Sequence, residues 1–403
     1  MQLLFVNRYA YPDSSATAQM LTELAEDLDR RGATVTILAG RAPYLSSNVQ
    51  LSAYERYRGI TIRRIRGAHF GRRRLLGRAL DYTSFYLLAA WTLLRLPRQD
   101  CLIVMSDPPL LSILGAVVGL VKQCKVICWL QDVFPDIAVR AGVLPGGILT
   151  KLLQRLGQWS LGRIDMTVVL GRCMKQYLLD GGLSASKMVC VPNWANGSQI
   201  YPLGEEADNE FSETHGIRGK FVVMYSGNLG VVHDVGTILS MVRFTAAFEG
   251  VVFCFVGDGV GRRQIENAVC HEGWHHVLFL PYQPKERLRW SLTAADVHLV
   301  TLREDMAGLS VPSKIYGILA AGRPAIFIGP ETCEVAWLIN EAGCGYIVQP
   351  GDTRGAERTL RRCMDDRQEL ERRGLAGRKY FDLHCDRAVA VERFWHVVNK
   401  VCA

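Results

Sequence analysis

Three short segments in the second half of the chain combine residue types that can hold a phosphate. Tyr225-Ser226-Gly227-Asn228-Leu229-Gly230 follows an apolar run that reads as a buried strand, and it leads toward a helical pattern. Glycine there lets backbone N–H groups approach an anion, and a helix N-terminus favours negative charge. Phe255-Val256-Gly257-Asp258-Gly259 is a second such turn, with Asp258 placed to accept from sugar hydroxyls or to cap the next helix. Either turn alone is equally well a plain tight turn. Two of them at strand carboxyl ends, the edge where open α/β sheets bind ligands, weigh together. Ser310-Val311-Pro312-Ser313-Lys314 is the third segment. Ser313 and Lys314 would open a helix and offer a hydroxyl, an ammonium and free amides to a diphosphate; the plain alternative is a capped helix with a solvated lysine. His233, just past the first turn, could reach a phosphate or serve packing alone.

The first half offers carboxylates instead. Trp129 to Asp136 follows a strand, so Asp132 could orient a hydroxyl or contact a sugar, while Asp136 could cap a helix. Asp107, in Ser106-Asp107-Pro108-Pro109, is either functional or a turn residue.

Alternating strands and helices must position these groups. In the first half, Leu3 to Val6, Val35 to Leu38, Ile60 to Ile65, Leu102 to Met105, Val126 to Leu130, Met166 to Leu170 and Met188 to Val191 read as strands. Ser14, Ser15 and Thr17 offer caps for a helix that Arg30, Arg31 and Gly32 close. In the second half, Phe221 to Tyr225, Val251 to Val256, Val277 to Leu280, Val297 to Val300, Ala325 to Ile328 and Gly345 to Val348 repeat the theme. Two such series imply two parallel-sheet, Rossmann-like domains. Ala195 to Gly219 lacks periodicity and reads as a linker. The expected domains are 1–195 and 196–379, with 380–403 as a terminal helical segment.

The chain has 403 residues, 49% hydrophobic and 21% charged, so a disordered or fibrous protein is excluded. Its net charge of +8 suits nucleic acid, an anionic membrane or phosphorylated small molecules. Arg63, Arg64, Arg66, Arg72, Arg73, Arg74 and Arg78 form a dense block before an aromatic helix with Tyr82, Phe85, Tyr86, Trp91 and Leu94. That block fits either anionic lipid headgroups or a solvated loop. No recognition helix, RNP or OB signature accompanies it, so nucleic acid is not an expected partner. Twelve cysteines without C-x-x-C or zinc spacing read as reduced, mostly buried thiols in a reducing compartment. The N-terminus reads as a strand and not as a signal peptide, and the longest apolar runs are too short to span a bilayer.

Taken in order, these segments resemble the family 4 glycosyltransferases of the GT-B fold. The likeness is carried by Tyr11-Pro12 with Leu21 to Ala25, Val191-Pro192-Asn193-Trp194, the two glycine turns, Val311-Pro312-Ser313-Lys314, and Ala320-Ala321-Gly322-Arg323-Pro324. Bacterial transferases of exopolysaccharide, capsule or O-antigen assembly share the pattern. The resemblance implies two Rossmann-like domains facing a cleft, a last helix that crosses back to the first domain, and no metal cofactor. It implies transfer, with retention, from a nucleotide-sugar to a lipid-linked or saccharide hydroxyl acceptor, at the cytoplasmic side and peripheral to the membrane. On this reading Lys314 and Asp132 are catalytic. Ser226, Gly227, Asn228, His233, Gly257, Asp258, Gly259, Tyr282, Pro312, Ser313 and Glu334 take the donor. Ser14, Ser15, Asp107, Arg72, Arg73 and Arg74 lie on the acceptor or membrane side. Many members carry two glutamates eight positions apart, where this chain has Leu309 and Gly317. A sugar-nucleotide epimerase of the same plan and an inactive donor-binding subunit are the alternatives.

Overall fold

Short runs of β-branched and aromatic residues build fourteen strands among the described residues. The computed structural model describes residues 1–13, 15–43, 50–70, 75–204 and 208–403. The chain divides into two units, Met1–Pro192 with Val391–Ala403, and Asn193–Ala390.

The first unit holds β1 (Gln2–Val6), β2 (Thr34–Gly40), β3 (Tyr54–Tyr57), β4 (Ile60–Ile65), β5 (Cys101–Val104), β6 (Lys125–Trp129), β7 (Met166–Val169) and β8 (Met188–Cys190). They form one sheet in the order β3-β4-β2-β1-β5-β6-β7-β8. Every pair is parallel except β3 with β4. β5 and β7 are buried along their whole length, as strands covered by helices on both faces must be. The order turns back between β1 and β5, so Asn7, Arg8, Ser106 and Asp107 stand at the switch point. Phe394 of the returning terminus meets Trp129 edge-on, with centroids 5.2 Å apart.

The second unit holds β9 (Phe221–Ser226), β10 (Val251–Val256), β11 (Val277–Leu280), β12 (Val297–Thr301), β13 (Ala325–Ile328) and β14 (Gly345–Val348). All run parallel in the order β11-β10-β9-β12-β13-β14. Its switch point falls between β9 and β12, which puts the Ser226 to Gly230 turn there.

Several expectations need correction. β3 was not expected, because its alternating exposed residues lack an apolar run. Ala195 to Gly219 is not a bare linker: Asn209 caps a helix, Glu210–Thr214, and Phe211 is buried. The terminal helical segment is two helices, Arg367–His384 and Arg387–Cys402, interrupted at Cys385 and Asp386. Ser15 stands at the N-cap of the helix Ala16–Arg30, but its hydroxyl makes no capping bond and is buried without a partner. The arginine block is not one surface, because Arg64 is buried and paired with Glu55 at 2.7 Å. Ser14, Arg72, Arg73 and Arg74 lie outside the described residues.

Candidate active site

In the second unit, two loops and one side chain converge at the carboxyl ends of β9 and β10. Gly227 and Gly257 both take positive φ, +125° and +128°, which L side chains rarely adopt. The turns lie directly on each other. A Cβ on Gly257 would collide with the Gly227 carbonyl oxygen, and one on Gly259 with that of Leu229. The glycines are therefore required first for this close packing of backbone on backbone.

Lys314 reaches this point from the first residue of the helix Lys314–Ala320. Its Nζ donates to the Tyr225 hydroxyl, lies 3.5 Å from the Asn228 carbonyl oxygen, and stands 3.6 Å from the Tyr225 ring centroid. Its Cε is 3.5 Å from where a Cβ on Gly227 would sit. Tyr225 in turn donates to the Asn228 carbonyl at 2.9 Å. Among the described residues no carboxylate pairs with Lys314, and burial holds its amine well below the usual lysine range. Burial, with the Tyr282 phenol adding to it, pushes the Tyr225 hydroxyl well up, so it stays neutral. An unneutralised buried ammonium is unfavourable until an anion answers it.

The geometry changes the roles expected of several neighbours. The Gly227 amide cannot serve an anion, because it donates to the Val256 carbonyl at 2.8 Å and so continues the sheet. The Leu229 amide goes likewise to Asp258 O, at 2.9 Å. No helix follows the first turn at once, since the next one begins at Gly236. Burial first, then the charge of Lys314, pulls His233 down to about 3, so it is neutral. His233 Nδ1 lies 3.0 Å from the Gly230 nitrogen and 3.2 Å from its carbonyl oxygen, so this ring nitrogen is engaged by the turn itself.

The other expected donor residues are spread around this centre. Tyr282 is half-exposed, and its ring edge lies against Gly257. Asp258 is exposed and its carboxylate accepts from the Gly259 amide at 2.7 Å. Ser313 is at the N-cap but makes no side-chain cap, Pro312 is half-buried before it, and Glu334 opens the helix Glu334–Ala342 beyond β13. Ser226 ends β9, and Asn228 contributes its carbonyl. Leu309 is fully buried and Gly317 half-buried, so neither of the two positions that many relatives fill with glutamate offers a carboxylate here. Tyr225 was read as the end of a strand and the start of the first turn, with no role for its hydroxyl. Its apolar surroundings gave no sign that its hydroxyl meets a lysine 89 positions later.

The first unit has a different centre. A cavity of about 410 Å³ opens beside β5 and β6, lined among others by Ser106, Asp132, Asp136, Gln154 and Tyr177. Asp136 accepts from Gln154 Nε2 at 2.8 Å and from the Tyr177 hydroxyl at 3.0 Å. Burial, then the Asp136 charge, pushes that phenol up to about 12. Asp107 lies at the switch point, where its carbonyl accepts from the Arg8 amide at 2.7 Å. Arg8 is neutralised by Asp81 at 3.3 Å. The cavity thus presents carboxylates and hydrogen-bonding groups suited to a neutral, hydroxyl-bearing molecule. Among the described residues no group of His, Cys, Asp and Glu is gathered as a metal site, and no helix is long and apolar enough to cross a membrane.

Comparison with known proteins agrees with this arrangement. Residues 15–194 match the family of glycosyl transferase 4-like domains, and residues 207–380 match the glycosyl transferases group 1. The chain is 29% identical to a probable glycosyltransferase, WbjE of Pseudomonas aeruginosa, over 80% of both chains. It is 22% identical to a putative colanic acid biosynthesis glycosyl transferase, WcaI of Escherichia coli, over 67% of this chain and 66% of that one. The structure of Anabaena HepE in complex with UDP-glucose superposes with a TM-score of 0.74 at 13% identity, covering 99% of this chain and 100% of that one. Both halves of the chain match glycosyltransferase families, and with its two Rossmann-like sheets the chain belongs to the family 4 glycosyltransferases with the GT-B fold.

Proposed function

We propose that this glycosyltransferase moves a sugar, with retention, from a nucleoside diphosphate sugar to a hydroxyl of a lipid-linked acceptor in the synthesis of a surface polysaccharide. The observation that carries the donor assignment is Lys314, a buried amine without a carboxylate partner among the described residues, at the switch point of the second sheet. As the glycosidic bond breaks, charge grows on the departing diphosphate, and the amine, protonated once the diphosphate lies beside it, stabilises that charge more than the ground state. Tyr225 fixes the amine. HepE, bound to UDP-glucose, supports a UDP-sugar as the donor, and WcaI supports polysaccharide as the product. Asp132, in the cavity of the first unit, would orient the acceptor hydroxyl.

A thermal-shift screen across nucleoside diphosphates and their sugars tests the first half of the reading, since a ligand of the folded state raises the melting point. The bound donor is then incubated with and without a lipid-linked acceptor, and the anomeric configuration of the product is read by NMR. Transfer that requires the acceptor is expected. Conversion of the donor alone would make the protein an epimerase. Binding without turnover would make it an inactive subunit, the outcome that the lack of a carboxylate at Leu309 and Gly317 would then explain.

A further inference from the structure

Three arginines meet at the carboxyl edge of the first sheet. Arg8 follows β1, Arg41 follows β2 and Arg66 follows β4. Backbone bonds fix these strand ends against one another. The Gly40 amide donates to the Arg8 carbonyl at 2.8 Å, and the Arg41 amide donates to the Ile65 carbonyl at 3.1 Å. A Cβ on Gly40 would come within 3.1 Å of that Arg8 carbonyl oxygen, so glycine lets the two ends close up. The helix Leu75–Arg95 forms the opposite wall and fastens the segment past Arg66. There the Ala68 amide donates to Ser84 Oγ at 2.8 Å, and the Phe70 amide donates to the Asp81 carboxylate at 2.7 Å. Between these walls lies a small cavity of about 50 Å³, lined by all three arginines and Asp81.

The charges in this cavity do not balance. Asp81 is the one carboxylate that lines it among the described residues, and it is engaged by Arg8 at 3.3 Å and by the Phe70 amide. Arg8 is 8% exposed, and the ring centroids of Tyr9 and Tyr82 lie 5.4 and 5.1 Å from its guanidinium, which holds it in place. Arg41 is half-buried. Its Nε donates to the Leu51 carbonyl at 2.9 Å, a bond that orients the guanidinium without neutralising it. Among the described residues neither Arg41 nor Arg66 is paired with a carboxylate. Three guanidiniums against one carboxylate leave a surplus of two positive charges in a space that holds one small anion. The guanidinium fork matches the oxygens of both carboxylate and phosphate. The surplus decides between them, because a carboxylate brings one negative charge and a phosphoryl monoester about 1.5 to 2.

We infer that Arg8, Arg41 and Arg66 bind a phosphoryl group, and that the acceptor of the transferred sugar carries it. The second clause rests on the reading that the first unit receives the acceptor; the first clause rests on the pocket alone. The cavity that holds Asp132 opens beside β5 and β6 of the same sheet, two to three strand spacings away, or roughly 10–14 Å. An acceptor that fills both places has its hydroxyl and its phosphoryl group several bonds apart. A free sugar phosphate and a saccharide borne on a lipid phosphate both meet that condition, and both present the same phosphoryl chemistry to the arginines.

The test is calorimetric titration of the full chain with inorganic phosphate after loading with UDP, so that Lys314 is already engaged. The loaded wild type should still bind phosphate, and acetate should bind it more weakly. Arg41→Gln with Arg66→Gln should weaken phosphate binding roughly 10–100-fold. The same double variant should keep the affinity for UDP-glucose and the melting point measured without phosphate, which shows that it is folded. Glucose 1-phosphate and farnesyl phosphate then separate the two sources. Tighter binding of the first than of inorganic phosphate supports a free sugar phosphate, tighter binding of the second supports a lipid phosphate, and either gain should vanish in the double variant. Loaded wild type that ignores phosphate, acetate that binds as tightly, or a double variant that binds phosphate as wild type does overturns the pocket. A pocket that takes inorganic phosphate and binds neither organic phosphate more tightly overturns the assignment to the acceptor. A chain that takes phosphate at these arginines but binds no UDP counts against the donor reading and not against the pocket.

Discussion

At the switch point of the first sheet the cation is Arg8, and Asp81 neutralises it at 3.3 Å; at that of the second it is Lys314, and among the described residues no carboxylate answers it. Both units use the same layered plan of parallel strands and helices. They differ in what is left unsatisfied when the plan is complete. The first retains a cavity with carboxylates and a phenol, which suits hydroxyl groups. The second retains a buried amine that burial holds well below the usual lysine range, which suits a diphosphate able to keep it protonated. One fold thus supplies two chemistries through a few side chains at equivalent edges.

The largest effect should come from removing the unanswered charge. Lys314→Ala is expected to reduce kcat at saturating donor by about 10²–10³-fold, or about 2.7–4 kcal/mol of barrier. An unchanged kcat would end the contrast between the two switch points. Gly257→Ala should follow. Its Cβ must displace the Gly227 carbonyl and accept a φ of +128°, at a destabilisation of about 1–3 kcal/mol and with loss of donor binding, both readable by thermal unfolding with and without UDP. Asp132→Asn should slow transfer roughly 10–100-fold while donor affinity stays constant. If donor affinity fell instead, the division of labour between the units would be wrong.

A separate contrast lies in acid stability. Burial holds His233 at about 3 and His298 at about 4 in the folded chain, against 6.5 when unfolded. Below 6.5 the unfolded chain takes up protons that the folded second unit refuses, so stability falls as pH drops toward 4 and then 3. The slope approaches about 1.4 kcal/mol per pH unit for each histidine. The first unit has only His69 and His396, both exposed. Hydrogen exchange at pH 5 should therefore show the second unit loosening before the first.

The strands were legible because a parallel sheet buried on both faces demands unbroken apolar runs, as in Val251–Val256. The glycine turns were legible because a positive φ at a strand end leaves few other choices. What each turn does was not. Whether the Gly227 amide faces an anion or the Val256 carbonyl depends on how β9 pairs with β10, a contact between residues far apart in sequence. The meeting of Lys314 with Tyr225 spans 89 positions and has no local signature. The exposure of one helix stripe was hidden for a related reason. Leu152, Leu156 and Trp159 have the composition of core residues, and only the packed helices show that they point outward.

The central claim is that the ammonium of Lys314 grips the diphosphate. Burial pushes this amine down in the free protein, and a diphosphate beside it would restore the proton. Calorimetric titration with UDP-glucose, whose diphosphate diester has no proton to give up near neutrality, should show proton uptake when repeated in two buffers of different ionisation enthalpy. Affinity should weaken as pH rises through the lowered lysine range, and Lys314→Met should lose both the proton uptake and roughly 10–100-fold in affinity. Equal affinity and no proton exchange in wild type and Lys314→Met would contradict the account.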